Sequence, residues 1–251
     1  MPKPAAPARP VRYLWLLLLL AALMGPGAAS AERVDLELVL LADASGSIDN
    51  AEIRFQREGY ATAITHPQVL AAIGQGLDRR IAVTYVEWGA ASSQETVVPW
   101  TIIDGPESAK AFADALVEPS RQAFGRNAIG SALAAGQRLI EDNDIEGFRR
   151  VIDFSGDSAN NWGGVPIETA RSSALGADIV INGLAILCRH CASGRPISYD
   201  LEKAFADRII GGPGSFVVTA DAETSFADAV RKKLILEIAG RTPPDRISTG
   251  G

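Results

Sequence analysis

The residues best equipped for chemistry stand together in Asp43-Ala-Ser45-Gly-Ser47-Ile-Asp49-Asn50, directly after the apolar run Leu38-Val-Leu-Leu41. A carboxylate followed by two hydroxyls at alternate positions is a set of hard oxygen donors. Small divalent cations such as Mg²⁺ or Mn²⁺ prefer such donors, with water and partner groups completing about six positions. Gly46 would let the loop turn tightly around the ion. A plainer reading stands beside this one, in which Ser47 or Asp49 caps the next helix, with Asp49 and Glu52 in capping-box spacing. Two further stretches bear on the choice. One is Asp153-Phe-Ser155-Gly-Asp157-Ser-Ala-Asn160-Asn161-Trp162; the other is Gly125-Arg-Asn127-Ala-Ile-Gly130-Ser131, which leads into an amphipathic helix. If the fold brings these loops to the first, Asp157 joins the oxygen donors and the polar loop of residues 125–131 adds a third wall around the same cation.

The elements that must position these loops can be read from hydrophobic pattern. Short apolar or β-branched runs bounded by turn residues predict strands over 34–42, 80–88, 96–103, 150–154, 178–185 and 215–218. Most lack polar alternation, as expected of strands covered on both faces in a parallel sheet. Apolar spacings of three and four predict helices over 50–64, just after Pro67, and over 107–117, 129–140, 167–175, 201–210 and 223–238. This alternation predicts an α/β fold: a doubly wound, mostly parallel six-stranded sheet with helices on both faces. The connection Trp88 to Glu95 is too short for a crossover helix, so it predicts one antiparallel edge strand. Ligands of open α/β sheets bind at the carboxyl ends of the strands, which is where Asp43 and Asp157 fall.

With these residues in view, the chain resembles the von Willebrand factor type A domains, whose metal-ion-dependent adhesion site joins Asp-x-Ser-x-Ser to a Thr from a second loop and an Asp from a third. Asp43, Ser45 and Ser47 match the first element, and Asp157 takes the place of the third-loop Asp. The third loop reads Ser-Gly-Asp-Ser in place of the commoner Thr-Asp-Gly, and Asn127 stands at the position of the Thr. An amide oxygen still ligates hard cations. The resemblance covers about residues 34–240. It implies a divalent cation, Mg²⁺ or Mn²⁺, and a protein partner whose carboxylate completes the metal shell. The chain also resembles an uncharacterised group of exported bacterial proteins through Tyr85-Val-Glu-Trp88, Asn160-Asn161, Ile181-Asn-Gly-Leu184 and Ile210-Gly-Gly-Pro-Gly-Ser-Phe-Val-Val218.

Residues 1–31 read as a cleaved signal peptide: Lys3, Arg9 and Arg12 precede the apolar run Leu14 to Met24, and Ala29-Ser30-Ala31 offers a cleavage point. The domain is then expected over 32–240, with a flexible tail over 241–251, in a periplasmic or secreted protein without a membrane span. Removing the three basic residues moves the formal charge from −6 to −9, which argues against nucleic acid as a partner. Cys188-Arg-His190-Cys191 suggests a local disulfide, and a thiol oxidoreductase is the alternative function from another class. A vestigial metal site is a third alternative. A metal-assisted hydrolase would need a general base that these residues do not supply, so the expected function is non-catalytic binding. Glu87 and Asp153, within apolar strands, are expected to bond neighbouring loops. His66 reads as a turn residue, the glycines of 211–214 as a turn, and Trp162 equally as an exposed anchor or a packed lid.

Overall fold

The computed structural model describes residues 31–187, 199–220 and 226–241. In chain order its elements are β1 (Glu32–Val34), β2 (Leu36–Asp43), α1 (Asn50–Ile64), α2 (Pro67–Ile73), β3 (Ile81–Trp88), β4 (Gln94–Ile103), α3 (Pro106–Val117), α4 (Ile129–Glu141), β5 (Ile145–Gly147), β6 (Arg150–Gly156), α5 (Ile167–Gly176), β7 (Val180–Ile186), α6 (Leu201–Arg208), β8 (Val217–Ala220) and α7 (Phe226–Ala239). Local chemistry sets several boundaries. Asp49 accepts from the Ala51 and Glu52 amides at 2.8 Å each, and Glu52 accepts from the Asp49 amide at 2.8 Å, a complete capping box that opens α1. His66 caps α2 through Nδ1, which accepts from the Gln68 amide at 3.2 Å, with Pro67 in the first turn.

The main sheet runs β4-β3-β2-β6-β7-β8, parallel throughout except for the antiparallel β3–β4 pair at one edge. Successive residues of β2 face opposite layers. Leu38, Leu40 and Ala42 pack with Tyr60, Phe112, Phe226 and Leu234 of α1, α3 and α7, whereas Val39 and Leu41 pack with Leu133, Ile167 and Phe205 of α4, α5 and α6. Both faces of β2 are thus dry, which is why its stretch Leu38–Ala42 is continuously apolar. The chain leaves β2 for β3 on one side and pairs β6 on the other, so the ends of β2 and β6 form the crevice where the strand order reverses.

Two features depart from the sequence expectation. The short parallel pair β1–β5 carries no apolar run; it is recruited by long-range pairing of Glu32 to Ile145 and Val34 to Gly147. Asp153 does not bond a loop. It lies inside the protein with the Lys233 ammonium of α7 2.8 Å from Oδ1, because a long amine on the covering helix reaches the middle of β6. Lys233 also contacts Glu237 Oε1, which accepts from Asn182 Nδ2 at 3.0 Å, while Glu237 Oε2 has no hydrogen-bond partner among the described residues.

Candidate metal centre

Three loops meet at the carboxyl ends of β2 and β6. The first leaves β2 at Asp43. Its buried carboxylate accepts from the Ser45 amide at 2.8 Å through Oδ1 and from the Asp157 amide at 3.4 Å through Oδ2. Ser45 Oγ and Ser47 Oγ lie 3.2 Å apart. Asp49 is committed to its cap, so the helix-capping role belongs to Asp49 and Ser47 is left among the oxygen donors. The third loop follows Gly156 and presents Asp157, 6% exposed, with Oδ1 buried and without a hydrogen-bond partner among the described residues. The second loop carries Asn127, also buried, tied to the Trp162 amide through its own carbonyl at 2.7 Å. Asp43, Ser45, Ser47 and Asp157 therefore stand together, and Asn127 lies on the adjoining loop.

The electrostatics follow from burying two carboxylates side by side. Burial, then the charge of Asp157, pushes the Asp43 carboxyl up to about 7, against the opposing hydrogen bonds of Ser45. Burial also raises Asp157, opposed by hydrogen bonding from Ser47 and Asp43 and reinforced by Glu52. A site that disfavours a second negative charge takes up either a proton or a cation.

The loops are held largely by side chains whose partners sequence reasoning did not foresee. The Arg121 guanidinium donates to the Ser45 carbonyl at 2.9 Å, the Ile48 carbonyl at 2.8 Å and the Ala123 carbonyl at 2.8 Å, and also contacts the Ala44 carbonyl. One cation thereby staples the first loop to the second. Behind it, Arg57 donates to Glu87 Oε1 through Nε at 2.9 Å and Nη2 at 2.5 Å, while Glu87 Oε2 accepts from the Gln122 amide at 2.6 Å and the Ala123 amide at 3.3 Å. Glu87 thus bonds a neighbouring loop, as expected, and pairs a buried arginine besides. Asn161 Oδ1 accepts from the Gly130 amide at 3.3 Å, supplying α4 with a cap from a distant loop because Ala128 has no capping side chain. Nothing in the local sequence marks Arg121 or Asn161 for these roles.

Close backbone approach also matters. A Cβ at Gly89 would sit 2.4 Å from the Phe124 carbonyl oxygen, and one at Gly130 would sit 2.1 Å from the Val165 carbonyl oxygen. Each glycine lets one site loop lie directly on its neighbour. Trp162 is 61% exposed with the Arg126 guanidinium 4.1 Å from its ring centroid, so it is not a packed lid. Gly212 and Gly214 have positive φ in the turn before β8. Among the described residues, no three His, Cys, Asp or Glu side chains converge as a metal-holding group; the cluster has two carboxylates, with hydroxyl and amide oxygens for the rest. Cys188, His190 and Cys191 lie outside the described residues, as do residues 1–30. No helix among the described residues is long and apolar enough to cross a membrane.

Comparison with solved structures establishes the fold. Proximal thread matrix protein 1 from the mussel byssus, solved with a zinc-occupied MIDAS motif, superposes with a TM-score of 0.53 at 16% identity over 84% of this chain and 48% of its own. The pilus adhesin SpaC of Lactobacillus rhamnosus GG gives 0.53 at 15% identity, over 83% of this chain and 30% of its own. The conserved hypothetical protein BatB of Bacteroides thetaiotaomicron gives 0.52 at 18% identity, over 82% and 98%. The chain therefore spans about half of the mussel protein and under a third of the adhesin. No curated protein matches in sequence. The shared architecture is a mostly parallel six-stranded sheet flanked by helices, a von Willebrand factor A-like fold, and residues 33–242 match a family described as "Protein of unknown function (DUF1194)", to which this chain belongs.

Proposed function

We propose that this chain is an exported, non-catalytic binding module whose three loops hold Mg²⁺ or Mn²⁺ and present it to a protein partner. Asp43, Ser45, Ser47 and Asp157 are the ligands, directly or through water, with Asn127 contributing its amide oxygen. The observation that carries this reading is the buried, unpartnered Asp157 Oδ1 beside the Asp43 carboxylate. An orphaned buried oxygen is costly, and a small cation bonded to both carboxylates removes that cost together with their repulsion. The cation would polarise and orient a carboxylate of the partner, completing its shell. Support also comes from the mussel protein, which shares the fold and holds zinc in its MIDAS motif. A protein-interaction role fits a fold that also occurs in a pilus adhesin.

Calorimetric titration of chelator-treated protein with Mg²⁺, Mn²⁺ and Ca²⁺ tests this. One site in the wild type, absent in Asp43→Ala with the fold intact by circular dichroism, is the expected result. Equal binding by both proteins would place the cation elsewhere, and silence in both would end the metal reading.

A further inference from the structure

The rim of the candidate centre exposes two large aromatic side chains, Trp162 and Phe124, the latter 57% exposed. Both stand beside arginines, yet the two arginines differ. Arg121, 4.9 Å from the Phe124 ring, gives its donors to carbonyl oxygens. Arg126 is exposed, stacks on Trp162, and makes no hydrogen bond or ion pair through its guanidinium among the described residues. A guanidinium lying on an indole face keeps its N–H edge directed outward, in the fork geometry that matches a carboxylate. The platform is fixed to the site, because the Trp162 amide donates to the carbonyl of Asn127, the residue next to Arg126. In a chain of net charge −6, an unpaired arginine held this way offers local complementarity to an acidic partner. The flanking aromatics offer contact for an apolar side chain, which favours a peptide over a simple anion.

We propose that Arg126 on Trp162 is a second anchor, and that the partner is an acidic protein segment with two carboxylates close in sequence. One meets the cation, the other enters the Arg126 fork, and a neighbouring apolar side chain packs on Trp162 and Phe124. This rests on the cation reading given above, and the test separates the two.

Mn²⁺ binding to wild type, Arg126→Ala and Trp162→Ala is measured first without peptide, and equal binding is expected. Acetylated peptide amides are then titrated into the Mn²⁺-loaded proteins. Each peptide carries two aspartates separated by zero, one or two glycines and followed by phenylalanine, with matched controls in which the second aspartate is asparagine. At least one diacid should bind wild type about tenfold more tightly than its control, a preference lost in Arg126→Ala and reduced in Arg126→Lys, which keeps the charge without the fork. Trp162→Ala should weaken both peptides. Inorganic phosphate at equal concentration should not displace the diacid; displacement would overturn the assignment to a peptide carboxylate. With Mn²⁺ bound, the absence of any diacid preference, or one that survives Arg126→Ala, refutes the second anchor. Absence of Mn²⁺ binding instead removes the underlying cation site, and this inference with it.

Discussion

Replacing Glu87 by Gln should destabilise the domain by about 3–5 kcal/mol, the range for breaking a buried ion pair from one side. Glu87 and Arg57 are 0% and 2% exposed at their side chains, so water cannot substitute for the lost charge. Glutamine is close in shape, yet it carries one acceptor where the carboxylate has two. If its oxygen faces Arg57, its NH₂ opposes the Gln122 and Ala123 amides; if it is flipped, the NH₂ opposes the guanidinium. Either way two donors lose their acceptor, at about 1–3 kcal/mol for each buried orphan, and the cation stays buried without its counter-charge. Arg57 keeps its bonds to the Leu116 and Ser120 carbonyls, which holds the total within the stated range. For a domain of this size that is a fall in Tm of roughly 6–20 °C. Urea unfolding and calorimetry measure it. The double variant Arg57→Met/Glu87→Leu should be less destabilised than Glu87→Gln, because it leaves no buried charge and orphans only neutral groups, the Gln122 and Ala123 amides and the Leu116, Pro119 and Ser120 carbonyls that Arg57 held. A cost below about 1 kcal/mol for Glu87→Gln, or a double variant less stable than the single one, would refute the reasoning.

Further outcomes follow from the same contacts. Arg121→Ala should weaken Mn²⁺ binding about tenfold or more, since the first and second loops lose their shared staple; unchanged affinity in a titration would show that the loops hold their positions without it. Gly130→Ala should cost about 1–3 kcal/mol despite alanine's better helix propensity, because the new methyl meets the Val165 carbonyl rather than open space; thermal unfolding reads this directly. Glu237 gives a pH signature. Burial, then Asp153, raises its carboxyl from 4.5 to about 7, so the folded state keeps a proton that the unfolded chain releases in that window. Stability should therefore fall as pH rises from about 4.5 to 7. Glu237→Gln, which leaves Lys233 paired with Asp153, should lessen that slope, to which the raised Asp43 carboxyl also contributes, and be the more stable protein at pH 8 by up to about 3 kcal/mol. A wild-type profile that rises across this window would contradict the assignment.

Much of the layout was legible because the signals were local. The Asp49 capping box, Pro67 after His66 and the mainly apolar runs of β2 and β3 each depend on residues within a few positions of one another, so α1, α2 and the buried strands follow from sequence. The antiparallel edge followed from the shortness of the Trp88–Glu95 connection, since a parallel pair needs a crossover. Asp43, Ser45 and Ser47 were legible for the same reason, as spacing within one loop. Asp157 was legible as the residue just beyond a strand end, where α/β sheets place ligands.

What resisted reading was most roles assigned by a partner far along the chain. An arginine in a polar loop looks the same whether it is solvated or, like Arg121, stapled to carbonyls more than seventy residues away. The three-residue pairing of β1 with β5 has no pattern of its own, and Asn161 caps a helix that begins more than thirty residues earlier. Asp153 looked like a loop-bonding carboxylate until α7 brought Lys233 against it. Sequence by itself determined most of the elements and which oxygen-bearing side chains could act as donors, because propensity, capping and hydrophobic period act over a few residues. Tertiary structure decided how the donors are held and where the charges balance, because burial removes water as the default partner and each polar group must then find one across the fold.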